Sequence, residues 1–215
     1  MKIEILYPEI CTLYGDKGNT MYLQKCLPDA EFVTTGLNEK PLFLKENIDM
    51  VYMCSMSEKS QELVLDRLMQ YKDEIAACMK DGKALFLLVG NSMELLGDYI
   101  KREDGTRVTG LGVVPGMYSV RQTPNRFNTL IKAKFNDMTL IGYTSRFAHT
   151  YGIPDDMTFC KVEIGQGSNP DTMNEGICKN RVIATYIHGP LLIQNPDFVH
   201  YLLEKLDAPM KEIPF

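Results

Sequence analysis

Histidine is scarce in this sequence, with three in 215 residues. None of the six cysteines (Cys11, Cys26, Cys54, Cys78, Cys160 and Cys178) forms a C-x-x-C pair. The ligand spacing of a zinc site is therefore absent, and no metal is expected. No apolar run approaches the roughly 20 residues that a helix needs to cross a bilayer. The opening Met1-Lys2-Ile3-Glu4-Ile5-Leu6-Tyr7 alternates too early, and is too polar, for a signal peptide. A cytoplasmic location is the expectation, with most of the thiols reduced and packed as small apolar groups. Basic charge is also short: Lys and Arg number 23 against 28 Asp and Glu, for a net −5. The positive residues are scattered, which argues against a nucleic-acid partner. No repeat, low-complexity tract or Pro/Gly/Ser-rich linker divides the chain, so residues 1–215 read as one domain.

What is present is an alternation of short apolar runs and helical periods. Ile3, Ile5 and Tyr7 share one face of a first strand. Residues 20–27 read as a helix stopped by Pro28, and 49–53 as a second strand. Residues 57–79 have Leu65, Leu68 and Met69 at helical spacing, with Ser57 or Ser60 as N-cap. Ala84-Leu85-Phe86-Leu87-Leu88-Val89 is unbroken and apolar, as in strands buried on both faces of a parallel sheet. A turn at Gly90-Asn91-Ser92 and a helix over 93–99 follow. Further strands are expected at 129–133, 139–143, 160–164 and 182–186. A last helix opens at Asn195-Pro196-Asp197. This is an α/β pattern with a mainly parallel central sheet and some antiparallel strands in the second half. Such sheets place ligands at the carboxyl ends of their strands. That rule selects Cys54-Ser55-Met56, Gly90-Asn91-Ser92 and His188-Gly189-Pro190.

Several motifs in order carry a family resemblance. They are Leu13-Tyr14-Gly15-Asp16-Lys17-Gly18-Asn19, Asp104-Gly105-Thr106 with Gly110-Leu111-Gly112-Val113, Asn125-Arg126 and Glu175-Gly176. Thr185-Tyr186-Ile187-His188-Gly189-Pro190-Leu191-Leu192 and Asn195 complete the set. With them the chain resembles, over nearly its whole length, class I glutamine amidotransferase domains of the cobyric acid synthase (CobB/CobQ) type. Within that family it is similar to GatD, the amidotransferase subunits of lipid II isoglutaminyl synthases. The resemblance implies a flavodoxin-like fold and the release of ammonia from glutamine by a cysteine thiolate at a strand–turn–helix elbow. It also implies a histidine base, backbone oxyanion donors, and delivery of ammonia to an ATP-dependent synthetase of the Mur-ligase type. No cofactor is implied. Gly15-Asp16-Lys17-Gly18 lacks the spacing of a phosphate loop.

The sequence departs from the family at its centre. The family elbow runs Cys-Gly-Gly-aromatic-Gln-apolar-Leu-Gly, and Gly90-Asn91-Ser92-Met93-Glu94-Leu95-Leu96-Gly97 stands here. Counting back from Gly97 puts Gly90 in the cysteine's place; counting forward from Asp81-Gly82 puts Val89 there. Neither is a nucleophile. The family's glycine-rich oxyanion loop reads Cys54-Ser55-Met56-Ser57, where side chains restrict the backbone. His188 corresponds to the family base and Arg126 to an arginine that holds glutamine, since a guanidinium suits a carboxylate. The expected function is a non-hydrolysing or regulatory subunit of an ATP-dependent amidating complex in cell-wall precursor metabolism. The alternative is an active glutaminase with Cys54 as displaced nucleophile and His188 as base. A third reading is a glutamine-binding module using Arg126. Outside the family reading, Ser92 is expected to cap a helix, Glu94 to be a helix-surface carboxylate, and His149 and His200 to be surface or packing residues.

Overall fold

The structure, a computed structural model, describes residues 1–122 and 124–209. Position 123 and residues 210–215 of the expected domain lie outside the described residues.

The chain runs β1 (Lys2–Leu6), α1 (Lys17–Cys26), β2 (Glu31–Thr35), β3 (Met50–Met53), α2 (Glu58–Leu68), α3 (Lys72–Asp81) and β4 (Leu85–Val89). Short strands follow: β5 (Tyr99–Lys101), β6 (Arg107–Thr109) and β7 (Tyr118–Arg121). The long hairpin β8 (Phe127–Phe135) and β9 (Met138–Arg146) precedes β10 (Ala148–Tyr151), β11 (Thr158–Ile164), β12 (Asn174–Lys179) and β13 (Val182–Thr185). Two helices, α4 (Leu191–Gln194) and α5 (Pro196–Lys205), close the described chain.

The large sheet has the order β2-β1-β3-β4-β13-β12-β11-β8-β9. Its first five strands are parallel and the remaining pairings antiparallel. The expected α/β architecture, parallel first and antiparallel later, is thus present. β4 is buried at every position, as its unbroken apolar run requires. Ser57 caps α2, accepting the N–H of Ser60 at 3.2 Å. The expected helix over 57–79 is two helices, α2 and α3, joined by a 3₁₀ turn at Met69–Tyr71.

A second sheet, β10-β7-β5-β6, was not expected. It meets the first where Thr150 Oγ1 lies 2.6 Å from Tyr186 Oη and 2.8 Å from Ser119 Oγ. The helix expected at 93–99 is instead a 3₁₀ run, Gly90–Leu96. It ends because Leu111 N–H and Val114 N–H bind the carbonyls of Leu95 and Leu96, each at 2.9 Å, and Tyr99 enters β5. The free edge of β9 is covered by the Asn195 side chain and by the main chain of His188. Asn195 accepts from Ile141 N–H and donates to Ile141 C=O, both at 2.8 Å, and His188 pairs with Tyr143. Covering an edge in this way blocks strand addition.

Candidate functional site

The loops that follow β3 and β13 meet at Asp16, which has no exposed surface. Asp16 opens α1, and its Oδ2 accepts the Ser55 hydroxyl at 2.9 Å. The Gly189 backbone N–H also favours its charged form. Burial outweighs these bonds and raises the carboxyl to about 7. Asn19 ties the same corner together, donating to Tyr52 Oη and accepting Leu192 N–H, both at 2.9 Å.

At the end of β4 the backbone turns sharply. Val89 is extended, with φ −114° and ψ 139°. Gly90 has φ +71°, a conformation that L side chains rarely adopt. A Cβ built on Gly90 would overlap Ser55 Oγ and lie 2.8 Å from Ser55 Cβ. Asn91 reaches across to the loop after β3. Its Oδ1 accepts Met56 N–H at 3.0 Å, and its Nδ2 donates to Met56 C=O at 2.8 Å. Ser92 is buried, and its hydroxyl donates back to Val89 C=O at 2.8 Å. It therefore does not cap a helix as expected, because an N-cap oxygen accepts from a downstream N–H.

Glu94 is not on a surface. It is 2% exposed, and it accepts Gln61 Nε2 and Tyr186 Oη, each at 2.9 Å. Burial raises its carboxyl to about 7. The network continues outward. Arg121 donates to Gln61 Oε1 at 3.0 Å and to Glu62 at 2.6 Å, and Arg102 grips both Glu62 oxygens at 2.8 and 2.9 Å. No local pattern pointed to this cluster; its members join through tertiary contacts alone.

His188 follows β13 and is buried. Its Nε2 accepts the N–H of Ser145 at 3.0 Å, so the neutral ring carries its proton on Nδ1. Tyr14 stacks on the ring at 4.4 Å and 12°, and Tyr143 meets it edge-on at 4.4 Å. Tyr14 reaches that position with φ 59°, a left-handed turn in a bulky residue. Burial lowers the imidazole to about 4, so it is neutral at pH 7. Arg126 is exposed at the rim, its guanidinium 4.6 Å from the Phe147 ring centroid and 5.8 Å from that of Tyr14. Arg126, Tyr14 and His188 are therefore brought together as one stack.

Cys54 is not part of that stack. Its thiol donates to Cys11 C=O and lines a cavity of about 290 Å³ beside α1, with Tyr52, Lys17 and Met21. Burial pushes the thiol far up, with Asp16 adding to the rise, and disfavours a thiolate. No hydrogen bond links Cys54 to His188 among the described residues. His149 is half-buried, as packing requires, and His200 lies on α5. No group of His, Cys, Asp or Glu among the described residues has the arrangement of a metal site. No described helix is long and apolar enough to cross a membrane.

A family model described as the CobB/CobQ-like glutamine amidotransferase domain matches residues 2–196. The GatD subunit of a glutamine-hydrolysing lipid II isoglutaminyl synthase from Streptococcus pneumoniae is 27% identical over 207 residues. That match covers 94% of this chain and 79% of the relative. The corresponding subunit from Staphylococcus aureus is 27% identical over 205 residues, covering 94% and 82%. Among solved structures, one described as a glutamine amidotransferase superposes with a TM-score of 0.60. Its identity is 11%, with 95% of this chain and 99% of that one covered.

Proposed function

The chain belongs to the CobB/CobQ-like glutamine amidotransferase family, and from the residue at its turn after β4 we infer that residues 1–215 form one amidotransferase-like domain that does not hydrolyse glutamine. In this reading it is a cytoplasmic, regulatory or structural subunit. Its partner is an ATP-dependent synthetase of the Mur-ligase type that amidates a cell-wall precursor. The GatD relatives, whose names specify lipid II isoglutaminyl synthase, support that assignment. Glutamine is the candidate ligand, with Arg126 at the rim to meet its carboxylate.

One observation carries the reading. The sharp bend after β4, with its left-handed backbone, falls on Gly90, which has neither thiol nor hydroxyl. Val89 is extended and fully buried, so the geometry favours Gly90 over Val89 as the residue standing at the nucleophile position. The state of His188 agrees. Its Nε2 lone pair already accepts a backbone N–H, and a ring held near 4 is a weak base at neutral pH.

The alternative, an active glutaminase using Cys54 and His188, is weakened by the buried, protonated thiol and by the separate surroundings of the two groups. The test is glutamate release from glutamine by the purified chain, alone and with its co-purified synthetase. We expect none above background. Robust release that persists in Cys54→Ala would remove the non-hydrolysing assignment, and release abolished by that change would establish the alternative.

A further inference from the structure

A single missing sulfur atom does not account for the corner at Gly90, because two other side chains fill it. A residue with φ +71° at the end of β4 projects its Cβ toward the loop after β3. At Gly90 that direction runs into Ser55: a Cβ there would overlap the hydroxyl oxygen and stand 2.8 Å from Ser55 Cβ and 3.3 Å from Ser55 Cα. Ser55 is 1% exposed and its Oγ is held by Asp16 at 2.9 Å. Swinging the hydroxyl aside would strip a hydrogen bond from a carboxylate with no exposed surface, which is costly. The obstruction is therefore fixed in place.

The second side chain is Asn91. Its carboxamide faces the main chain of Met56 and engages both of that residue's backbone groups, accepting its N–H at 3.0 Å and donating to its C=O at 2.8 Å. The N–H of Met56 is the donor that this loop would otherwise present beside the turn. Its bond to Asn91 leaves it no free direction toward a ligand carbonyl. Gln61 Nε2 locks the turn from behind by donating to Asn91 C=O at 2.8 Å.

The geometry points to a built-in plug. Ser55 occupies the volume of a side chain at position 90, and the Asn91 carboxamide stands in for a primary carboxamide ligand at Met56. The corner is then closed by coupled residues, and restoring a thiol at position 90 requires removing Ser55's side chain as well. The meaning for catalysis rests on reading the Gly90 turn as the former nucleophile elbow; the steric coupling does not.

A double-mutant cycle tests the coupling. Gly90→Cys alone is expected to lower Tm by about 5–10 °C, since overpacking and left-handed strain act together. Ser55→Gly/Gly90→Cys is expected to lose less than the sum of the losses of Gly90→Cys and Ser55→Gly, by about half of the Gly90→Cys loss, because the clash is relieved while the lost bond to Asp16 and the strain at φ +71° remain. Its new thiol should react with iodoacetamide at least ~10-fold faster than the thiol of Gly90→Cys, because an unobstructed side chain is better exposed. Equal thiol reactivity in the two variants, or losses that simply add, would overturn the plug. If Gly90→Cys does not fold while the double variant does, the coupling is supported. If neither folds, the same comparison with Gly90→Ala, which adds only the Cβ, decides the matter by Tm. Glutamate release by the wild-type chain is measured alongside. Release there would sink the non-hydrolysing reading and leave the coupling standing, whereas additive losses would sink the coupling alone.

Discussion

Replacing Glu94 by glutamine and following stability across pH isolates the buried network behind the turn. In the folded chain the Glu94 carboxyl is raised from an ordinary 4.5 to about 7, because burial penalises its charge more than Gln61 and Tyr186 support it. Between those two values the folded state therefore binds more protons than the unfolded state. Linkage then gives a stability that falls as pH rises. The contribution is full below about 4.5, decays through the window, and is gone above about 7. At 1.36 kcal/mol per decade of proton affinity, the loss between pH 4 and pH 8 is roughly 3 kcal/mol.

Glutamine at position 94 imitates the protonated acid at every pH. Its oxygen accepts from Gln61 Nε2, and its amide donates to Tyr186 Oη. The tyrosine can turn its proton toward Thr150 Oγ1, 2.6 Å away. Glu94→Gln is thus expected to match wild type near pH 4.5 and to exceed it by up to ~3 kcal/mol at pH 8. Urea unfolding followed by circular dichroism is the assay, since the chain has no tryptophan. Asp16 also titrates near 7 with the same sign, and His188 with the opposite sign, so the quantity of interest is the difference between variant and wild type. A difference that stays flat from pH 4.5 to pH 8, or that grows toward acid, would refute the assignment of a neutral, buried Glu94.

Three further outcomes are expected. His188, lowered to about 4, contributes stability that is complete above the unfolded value of 6.5 and is lost as pH falls through 4. Its ring proton signals in NMR should accordingly hold their neutral positions from pH 7.5 to 5.5, and a midpoint near 6.5 would contradict the buried acceptor role. Arg121→Met should cost about 3 kcal/mol, because it strips a buried partner from Glu62 and Gln61, whereas Arg102→Met, more exposed, should cost clearly less. Denaturant midpoints decide it, and equal losses would show that the network is a surface feature. In native labelling with iodoacetamide, the half-buried Cys78 and Cys178 should react before the buried Cys54, Cys11 and Cys160. Preferential labelling of Cys54 would revive the displaced-nucleophile reading.

The parallel core was legible because its signal is local. An unbroken apolar run such as 84–89 has few other homes, and Ser57 sits where a cap is needed. The second sheet was not legible. Its strands are three or four residues long, too short for a period to register. Residues 93–99 had a helical pattern, but partners in residues 111 and 114 took the carbonyls of Leu95 and Leu96. Once that helix is gone, the expectation that Glu94 faces solvent goes with it. Its partners Gln61 and Tyr186 stand 33 and 92 residues away, beyond any window of local pattern.

The residues that carry the family resemblance act as fasteners, which explains how the resemblance survives beside an altered centre. Glu175 accepts Thr185 Oγ1 at 2.6 Å and Tyr186 N–H at 2.7 Å, holding the end of β13. Gly176, at φ +72°, allows Ala184 C=O to approach where a Cβ would stand 2.5 Å from it. Asp104 accepts from Thr106 N–H and Oγ1 at 2.9 and 2.6 Å, setting the turn between β5 and β6. Asn195 bridges Ile141 and Leu191, and Asn19 bridges Tyr52 and Leu192. None of these bonds involves a side chain at position 90. The frame is therefore held together without any side chain at that position. At the turn itself Ser55 and Asn91 fill the corner with packed, hydrogen-bonded contacts that add to the same frame.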